Sequence, residues 1–432
     1  MLALFTAVFM AAVLFTKRRR ILSLPFLSLA TYGLLGVPGS WIVRREYNWW
    51  LRDVQQAHID SAYYVYCWVG VIASCAVLVL LKNSESREPL DKWVAGAPTL
   101  LVFAAASAVM VAITVMTIFP DSALRELLSG NGPSALLYAE LRGEMGSLMR
   151  NDRLLAYFNN ILVNYFLMYM AVLMLVSYYT TKKHGLLTLW VYACFVFCSA
   201  QGLAKSPIVI AVIMPAIVKM YMGKISMRSV LSFVAGVSVL ILVLYVVVMG
   251  SDTQEVAADI FNRLAIAQYA GLPLTLEVFD DASSHLPLLS SVGALAKIAG
   301  VEKEFFSRTL MEFANPDGVM KGLSGYMSTV AYAEGYAIGG YGGLSVAALL
   351  VAIVVGFYHN FDRLSDIRWR SFYLLLCMKL PLLIMDSASS LIWNYGLFFL
   401  IVIINCWMAA EASVRGYLNG TVDSTVSGLR RP

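Results

Sequence analysis

The sequence predicts an all-α, polytopic integral membrane protein with about eleven transmembrane helices. Hydrophobic residues occupy 59% of the 432 positions and charged residues only 14%, whereas roughly a quarter of an ordinary soluble domain is charged. Apolar runs long enough to cross a hydrocarbon layer of about 30 Å recur along the whole chain. Most of the surface therefore faces lipid, and we expect residues 1–432 to form a single membrane domain.

Eleven apolar runs account for the predicted crossings. They lie at 2–16, 22–38, 61–81, 94–118, 157–180, 186–202, 207–221, 229–249, 340–358, 371–386 and 393–411. The basic cluster 17–20 follows the first run instead of preceding it, which is the reverse of a cleavable signal peptide. We therefore interpret the first run as a span, with the N-terminus outside.

The charges of the loops predict the orientation. Alternate loops and the C-terminal tail contain eighteen Lys and Arg against seven Asp and Glu, and the other loops contain thirteen against twenty. Because basic loops stay in the cytoplasm, the C-terminus is expected to be cytoplasmic. Two large loops, about 119–156 and 250–339, then lie on the periplasmic side with interfacial helices. Function concentrates in loops held by a rigid scaffold, so we expect the active site there.

Several classes of function lack support in the sequence. The six cysteines lie in apolar runs without a nearby His or carboxylate partner, so we expect no metal site. No GxxxxGK[ST] loop is present, and we expect no cofactor. The basic cytoplasmic loops are a topological signal, so they give no reason to expect nucleic acid. The halves show no internal repeat, which argues against repeat-built transporters.

The first large loop contains three arginines within twelve positions: Arg142, Arg150 and Arg153. One interpretation is a solvated amphipathic helix with ion pairs along its surface. The other is an anion site, because forked arginine side chains bind pyrophosphate in a bidentate manner. The sequence alone leaves both open.

Two further cations stand close to apolar segments. Lys205 lies in the turn before the run 207–221, where it either snorkels to the surface or binds phosphate. Arg263, with Gln268 and Tyr269, fits an amphipathic helix at the membrane interface, where the arginine would anchor a lipid phosphate.

The tenth run holds two ionisable residues, Lys379 and Asp386. They stand seven positions apart, which is too far for a direct pair, so we expect each to meet another helix.

Three residues are candidate general bases: Asp281, His285 and Glu334. An exposed acidic turn is the competing explanation for Asp281. Glu334 lies between Tyr332 and Tyr336 in an apolar, glycine-rich stretch, and carbohydrate sites often pair aromatic faces with a carboxylate. The glycines between 325 and 343 allow close backbone approach by a helix or by a ligand.

These features together resemble the Wzy-type polymerases of lipid-linked oligosaccharide repeat units. The resemblance covers nearly the whole chain. It is carried by the arginine-bearing loop 138–153, the Gly-x-x-Lys-x-Pro turn around Lys205, the Asn262-Arg263 segment, and the stretch from Tyr332 through Glu334 and Tyr336 into Gly-Tyr341-Gly-Gly.

The resemblance implies an enzyme of the bacterial inner membrane that acts at the periplasmic face. It would transfer a glycan from undecaprenyl pyrophosphate onto an incoming lipid-linked repeat unit, with a chain-length regulator as a possible partner. The family's functional arginines map onto Arg142, Arg150 or Arg153, and Arg263.

The chemistry requires cations for a departing pyrophosphate and a base for the acceptor hydroxyl. Our hypothesis is therefore that the arginines and Lys205 bind pyrophosphate without metal. One of the three candidate bases takes the proton, and Tyr269, Tyr332 and Tyr336 hold sugar.

Two alternatives stay open at the level of sequence. An O-antigen ligase would use the same donor but deliver the glycan to a lipid A core, and His285 in the long loop would suit it. A lipid-linked oligosaccharide flippase or other secondary transporter would use Lys205, Lys379 and Asp386 as a pathway. The large outer loops and the missing repeat argue against such a carrier.

Overall fold

The computed structural model describes residues 37–44, 49–82, 96–129, 152–202, 205–223, 267–320 apart from a few positions, and 327–428, with some single positions between these ranges. Every regular element in these residues is a helix. The all-α prediction is therefore confirmed for this part of the chain.

The helices differ widely in length. The first half contains α1 Val37–Val43, α2 Gln56–Lys82, α3 Ala97–Thr117, α4 Ala123–Leu128, α5 Arg153–Tyr157, a π-helix Phe158–Leu167, α6 Met168–Thr181, α7 Gly185–Ser199 and α8 Lys205–Tyr221. The second half contains α9 Ala267–Val278, α10 Gly293–Ala299, α11 Phe306–Ala314, α12 Pro316–Met320, α13 Ala333–His359, α14 Ile367–Ile384, α15 Ala388–Ile392 and α16 Tyr395–Gly428. Short 3₁₀ turns occur at Trp49–Leu51, Phe119–Asp121, Ala282–Ser284 and Asn360–Arg363.

Four helical stretches of the described residues are long and apolar enough to cross a membrane. They are Pro98–Thr117, Leu154–Thr181, Ala333–Arg363 and Ala388–Ser413. Eight of the eleven predicted runs fall on described helices, although α13 begins before its run and α16 extends well beyond its run. The runs 2–16 and 229–249, and most of 22–38, lie outside the description or are described only at single positions. Membrane character is supported, while the number of crossings and their orientation stay predictions.

Helices α6 and α14 occupy the centre of the bundle and pack against each other. The side chains from Met168 to Met174, and those from Phe372 to Leu376, are almost completely buried. A helix that is apolar and covered on all sides belongs in the interior. These two helices therefore form the core around which the others are arranged.

Charged side chains join several loops at one end of the bundle, which we call the Arg370 end (residues 178–184, 219–223 and 359–370). Tyr221 donates a hydrogen bond to Asp362 (2.6 Å) and accepts one from Arg370 (3.2 Å). The ammonium groups of Lys182 and Lys219 both lie over the Tyr179 ring. The charge pattern assigns these loops to the cytoplasmic side, and they do share one end.

Helix α13 is broken in its first third. Gly339 and Gly340 have non-helical dihedral angles, and Gly340 adopts φ +58, a conformation that favours glycine. The break brings the backbone of Gly335 against that of Gly343, although these residues would stand about 12 Å apart in a continuous helix. The sequence predicted that the glycines allow a helix or a ligand to approach closely. In the structure, the two parts of the broken helix, residues 333–338 and residues 341–359, approach each other.

Helix α9 is an interior helix, which corrects the prediction of an amphipathic interfacial helix around Tyr269. From Tyr269 to Leu276 every side chain is buried, and α9 packs against α1, α2, α11 and α13. Gly271 allows the chain at Ser328 and Thr329 to lie directly on the helix. The sequence pattern suggested a polar face because Gln268 precedes an otherwise apolar stretch.

We predict that Gly335→Ala destabilises the protein by about 1–3 kcal/mol, because the added methyl group would overlap the Gly343 carbonyl and the Ala347 side chain. Thermal unfolding in detergent would show a melting temperature several degrees lower. The matched control is Gly342→Ala, since nothing lies within 4 Å of that position. Equal melting temperatures for the two variants would contradict the close contact.

Candidate functional site

The break in α13 places Glu334 against the short helix α15. The Glu334 carboxylate accepts one hydrogen bond from the Ser389 backbone N–H (2.8 Å) and another from the Ser389 hydroxyl (2.7 Å). Its side chain is buried, with 2% exposure. Burying a carboxylate is costly unless such bonds compensate it. Both oxygens are engaged, so Glu334 is better suited to hold the segment in place than to remove a proton.

Next to Glu334 lies a group of half-buried polar side chains that we call the Lys379 crevice. Its members are Tyr165, Lys379, Asp386, Ser390 and Asn394. The Lys379 ammonium lies 5.1 Å from the centre of the Tyr165 ring. Asn394 donates a hydrogen bond to the Tyr165 hydroxyl (2.7 Å). Lys379 therefore meets another helix, as the sequence predicted.

The Asp386 carboxyl is the acid of this crevice and lies between α14 and α15. It is half-buried and lies close enough to Glu334 for the charges of the two carboxyl groups to repel each other.

Unusual backbone brings Tyr165 into the crevice. Tyr165 lies on the π-helix Phe158–Leu167, a geometry that occurs mostly as short bulges and often at functional sites. Its ring packs directly on Gly396, where a Cβ would overlap the ring. A glycine at this position is therefore needed for the ring to reach Lys379.

A second polar group joins the start of α2 to the end of α9. His58 Nδ1 lies 2.8 Å from the Glu277 carboxylate, and His58 Nε2 lies 3.4 Å from Asp280. Glu277 also accepts a hydrogen bond from the Gln55 backbone N–H (2.8 Å). Burial raises the pKa of Glu277, but the hydrogen bonds from His58 and Gln55 outweigh it, so the pKa falls below its usual value.

His285 lies on the other side of the broken segment. Its Nε2 is 3.1 Å from the Phe279 carbonyl oxygen. A carbonyl only accepts, so this nitrogen carries a proton, and Nδ1 of the neutral ring keeps its lone pair. No partner for Nδ1 is found among the described residues. The ring lies edge-on to Tyr336, which in turn contacts Tyr341, and Tyr341 is 56% exposed.

Asp281 has a local structural role. Its carboxylate accepts hydrogen bonds from the Ser283 backbone N–H (3.2 Å) and the Ser283 hydroxyl (2.8 Å). These bonds lower its pKa, which makes it a weaker base. The acidic-turn interpretation of the sequence fits this geometry. Of the three candidate bases, His285 is therefore the one with a basic atom, Nδ1, that accepts no hydrogen bond from the described residues.

The tyrosines predicted to hold sugar divide into two groups. Tyr269 is 0% exposed and Tyr332 is 1% exposed, and both rings pack against Tyr66. Neither ring presents a face to a ligand here. Tyr336 is also buried, but it supports the exposed Tyr341, which is the more suitable aromatic surface.

The predicted cations fall largely outside what the structure describes. Arg142, Arg150 and Arg263 lie outside the described residues, and for Arg153 and Lys205 only the backbone is described. Arg153 begins α5 and Lys205 begins α8. The Leu124 backbone N–H donates to the Gln201 carbonyl (3.1 Å), so the first large loop does contact the turn before Lys205.

Sequence reasoning missed His58, Tyr165, Ser389 and Asn394. Each lies in an apolar run or beside its end, where its residue type alone carries little signal. They become recognisable only through partners that are distant in sequence: Glu277, Lys379 and Glu334. We call the end of the bundle that holds residues 279–288, 332–341 and 386–394 the Glu334 end.

Comparisons with family models, with curated proteins and with solved structures find no match to this chain. Among the described residues, no group of three or more His, Cys, Asp or Glu side chains is placed to hold a metal ion.

We predict that Glu277→Gln lowers the free energy of unfolding by about 1–2 kcal/mol at pH 7. Because the pKa of Glu277 is lowered in the folded state, its contribution is present above the unfolded value of 4.5 and is lost as the pH falls through the folded value. Thermal unfolding in detergent at about pH 7 and about pH 3 measures the difference.

The control for this prediction is Glu312→Gln. Glu312 pairs with Arg308 at 2.7 Å, but both side chains are more than 40% exposed, so the change should cost less than about 0.5 kcal/mol. If Glu277→Gln and Glu312→Gln unfold alike at both pH values, the buried contact with His58 does not stabilise the fold.

Proposed function

We propose that this chain is a membrane glycosyltransferase that polymerises oligosaccharide repeat units linked to undecaprenyl pyrophosphate. The observation that carries the proposal is the placement of His285. Its Nδ1 has no partner in the described part of the chain, and its ring contacts Tyr336, which contacts the exposed ring of Tyr341. The charge pattern assigns this end of the bundle to the periplasm. A base beside an aromatic surface is what transfer to a sugar hydroxyl requires.

The proposed reaction has one substitution step. The acceptor hydroxyl oxygen attacks the anomeric carbon of the donor sugar as the bond from that carbon to the pyrophosphate oxygen breaks. The hydroxyl proton passes to Nδ1 of His285. The leaving group is undecaprenyl pyrophosphate, which keeps the electron pair of the broken bond and its lipid anchor.

The charge of the leaving group has to be balanced by cations. We assign this role to Arg142, Arg150 or Arg153, together with Lys205 and Arg263. The hydrogen bond between Leu124 and Gln201 supports the grouping, because it joins the first large loop to the turn that leads into Lys205.

An O-antigen ligase is the second candidate. The ligase uses the same class of donor as the polymerase. The placement of His285 favours the ligase as well, because its reaction also requires a base and a single histidine in the long loop provides one. The two differ in the acceptor, which is a lipid-linked repeat unit for the polymerase and a lipid A core for the ligase.

The test is a reconstituted reaction with the lipid-linked repeat unit, analysed as a gel ladder. We predict that His285→Gln lowers the rate by about 100-fold or more, since general base catalysis contributes about that much. Asp281→Asn should stay within about threefold, because its carboxylate is engaged by Ser283.

The matched control is His184→Asn, at the Arg370 end, where the residue adopts φ +61 and asparagine is tolerated. It should leave the ladder unchanged. Full activity in His285→Gln with loss in Asp281→Asn would move the base to Asp281. Product formed only with added lipid A core would indicate the ligase, and transport of the repeat unit without any product would indicate a carrier.

A further inference from the structure

Lys379 is a cation inside the bundle to which none of the described acidic residues is paired. It lies on α14, one of the two central helices, and no carboxylate of the described residues is within ion-pair distance of its ammonium. Its contact is with the face of the Tyr165 ring at 5.1 Å. Arg368, a buried cation elsewhere in the described chain, pairs with Asp366 and Glu411.

The neighbours of Lys379 are polar and only half-buried. Tyr165, Asp386, Ser390 and Asn394 each keep part of their surface accessible, although all of them lie among packed helices. The Tyr165 hydroxyl accepts a hydrogen bond from Asn394, and no described residue accepts its own proton. Two donors in the same crevice, the Lys379 ammonium and the Tyr165 O–H, thus find no acceptor within the described part of the chain.

An unpaired ammonium in a membrane protein is costly, and such groups usually mark a ligand or ion pathway. Two structural features bring the Tyr165 ring to Lys379: Tyr165 lies on the π-helix, and Gly396 leaves space for its ring. A lysine that only extended its ammonium to the membrane surface would need neither the π-helix nor the glycine. The arrangement therefore favours a site for an anion.

We propose that Lys379 and Tyr165 bind the phosphate or pyrophosphate group of a polyprenyl-linked substrate. An ammonium is a compact point charge that suits phosphate oxygens. The identification of the lipid rests on the proposed function, whereas the anion site does not. Lys379 lies about 8 Å inside the end of α14, counted at 1.5 Å per residue from Ile384, and this end carries the rest of the site.

Neither carboxyl group near the crevice is paired with Lys379. Asp386 and Lys379 form no ion pair in the described part of the chain, and Glu334 is engaged by Ser389. The ammonium therefore stays available to a bound anion.

The test measures binding of geranylgeranyl pyrophosphate and of inorganic pyrophosphate to the purified protein in detergent. We expect Lys379→Gln to weaken binding by about 10- to 100-fold, and Tyr165→Phe to weaken it by about threefold to tenfold. Lys379→Arg keeps the charge and should stay within about fivefold of the wild type. The matched control is Lys219→Gln, because Lys219 lies over the Tyr179 ring at 5.4 Å at the Arg370 end.

A second measurement separates binding from folding. Removing an unpaired interior charge should leave the melting temperature of the ligand-free protein unchanged or raise it, while the stabilisation by geranylgeranyl pyrophosphate is lost. Inorganic pyrophosphate binding as tightly as the lipid would identify a site for the free anion, and much weaker binding would identify the lipid-linked group.

The inference is overturned if folded Lys379→Gln binds both probes as the wild type does, or if it unfolds at a lower temperature while ligand stabilisation persists. A missing glycan ladder together with Lys379-dependent binding would refute the polymerase and support the anion site. A normal ladder in Lys379→Gln, with unchanged binding, would refute the anion site alone.

Discussion

Two hydrogen bonds from Ser389 to the buried carboxylate of Glu334 hold the broken helix α13 in position. A carboxylate that is 2% exposed destabilises any arrangement that leaves it without donors. The segment 332–341 therefore has to stay against α15. The turn at Gly339 and Gly340 and the contact between Gly335 and Gly343 then fix where the following helix begins.

The polar residues of the candidate site lie on irregular backbone segments, and the regular helices hold these segments in place. The π-helix, the broken α13 and the five-residue α15 bring Tyr165, Glu334 and Ser389 to one end of the bundle. In lipid, such backbone is tolerated only where protein covers it or a polar cavity satisfies it. Central helices α6 and α14 provide that cover, which explains why the polar groups lie beside the most buried part of the molecule.

The sequence predicted the regular part of the fold well and the site only in part. Long apolar runs predicted eight of the described helices, because lipid imposes length and composition on each. The amphipathic pattern of Arg263, Gln268 and Tyr269 misjudged α9, because Gln268 precedes a stretch that is buried in protein on all sides. Glu334 and His285 stood out as isolated polar residues, but their roles depend on Ser389 and Phe279. Contacts between residues so distant in sequence leave no local pattern.

The most direct test of this account is photolabelling of the reconstituted protein with a diazirine-bearing, polyprenyl-pyrophosphate-linked glycan, followed by peptide mapping. The account predicts label in residues 279–288, 332–341 and 386–394, at the Glu334 end, and its loss when unlabelled substrate competes. Competable label at 178–184 or 359–370 instead would place substrate at the Arg370 end and contradict the proposed site.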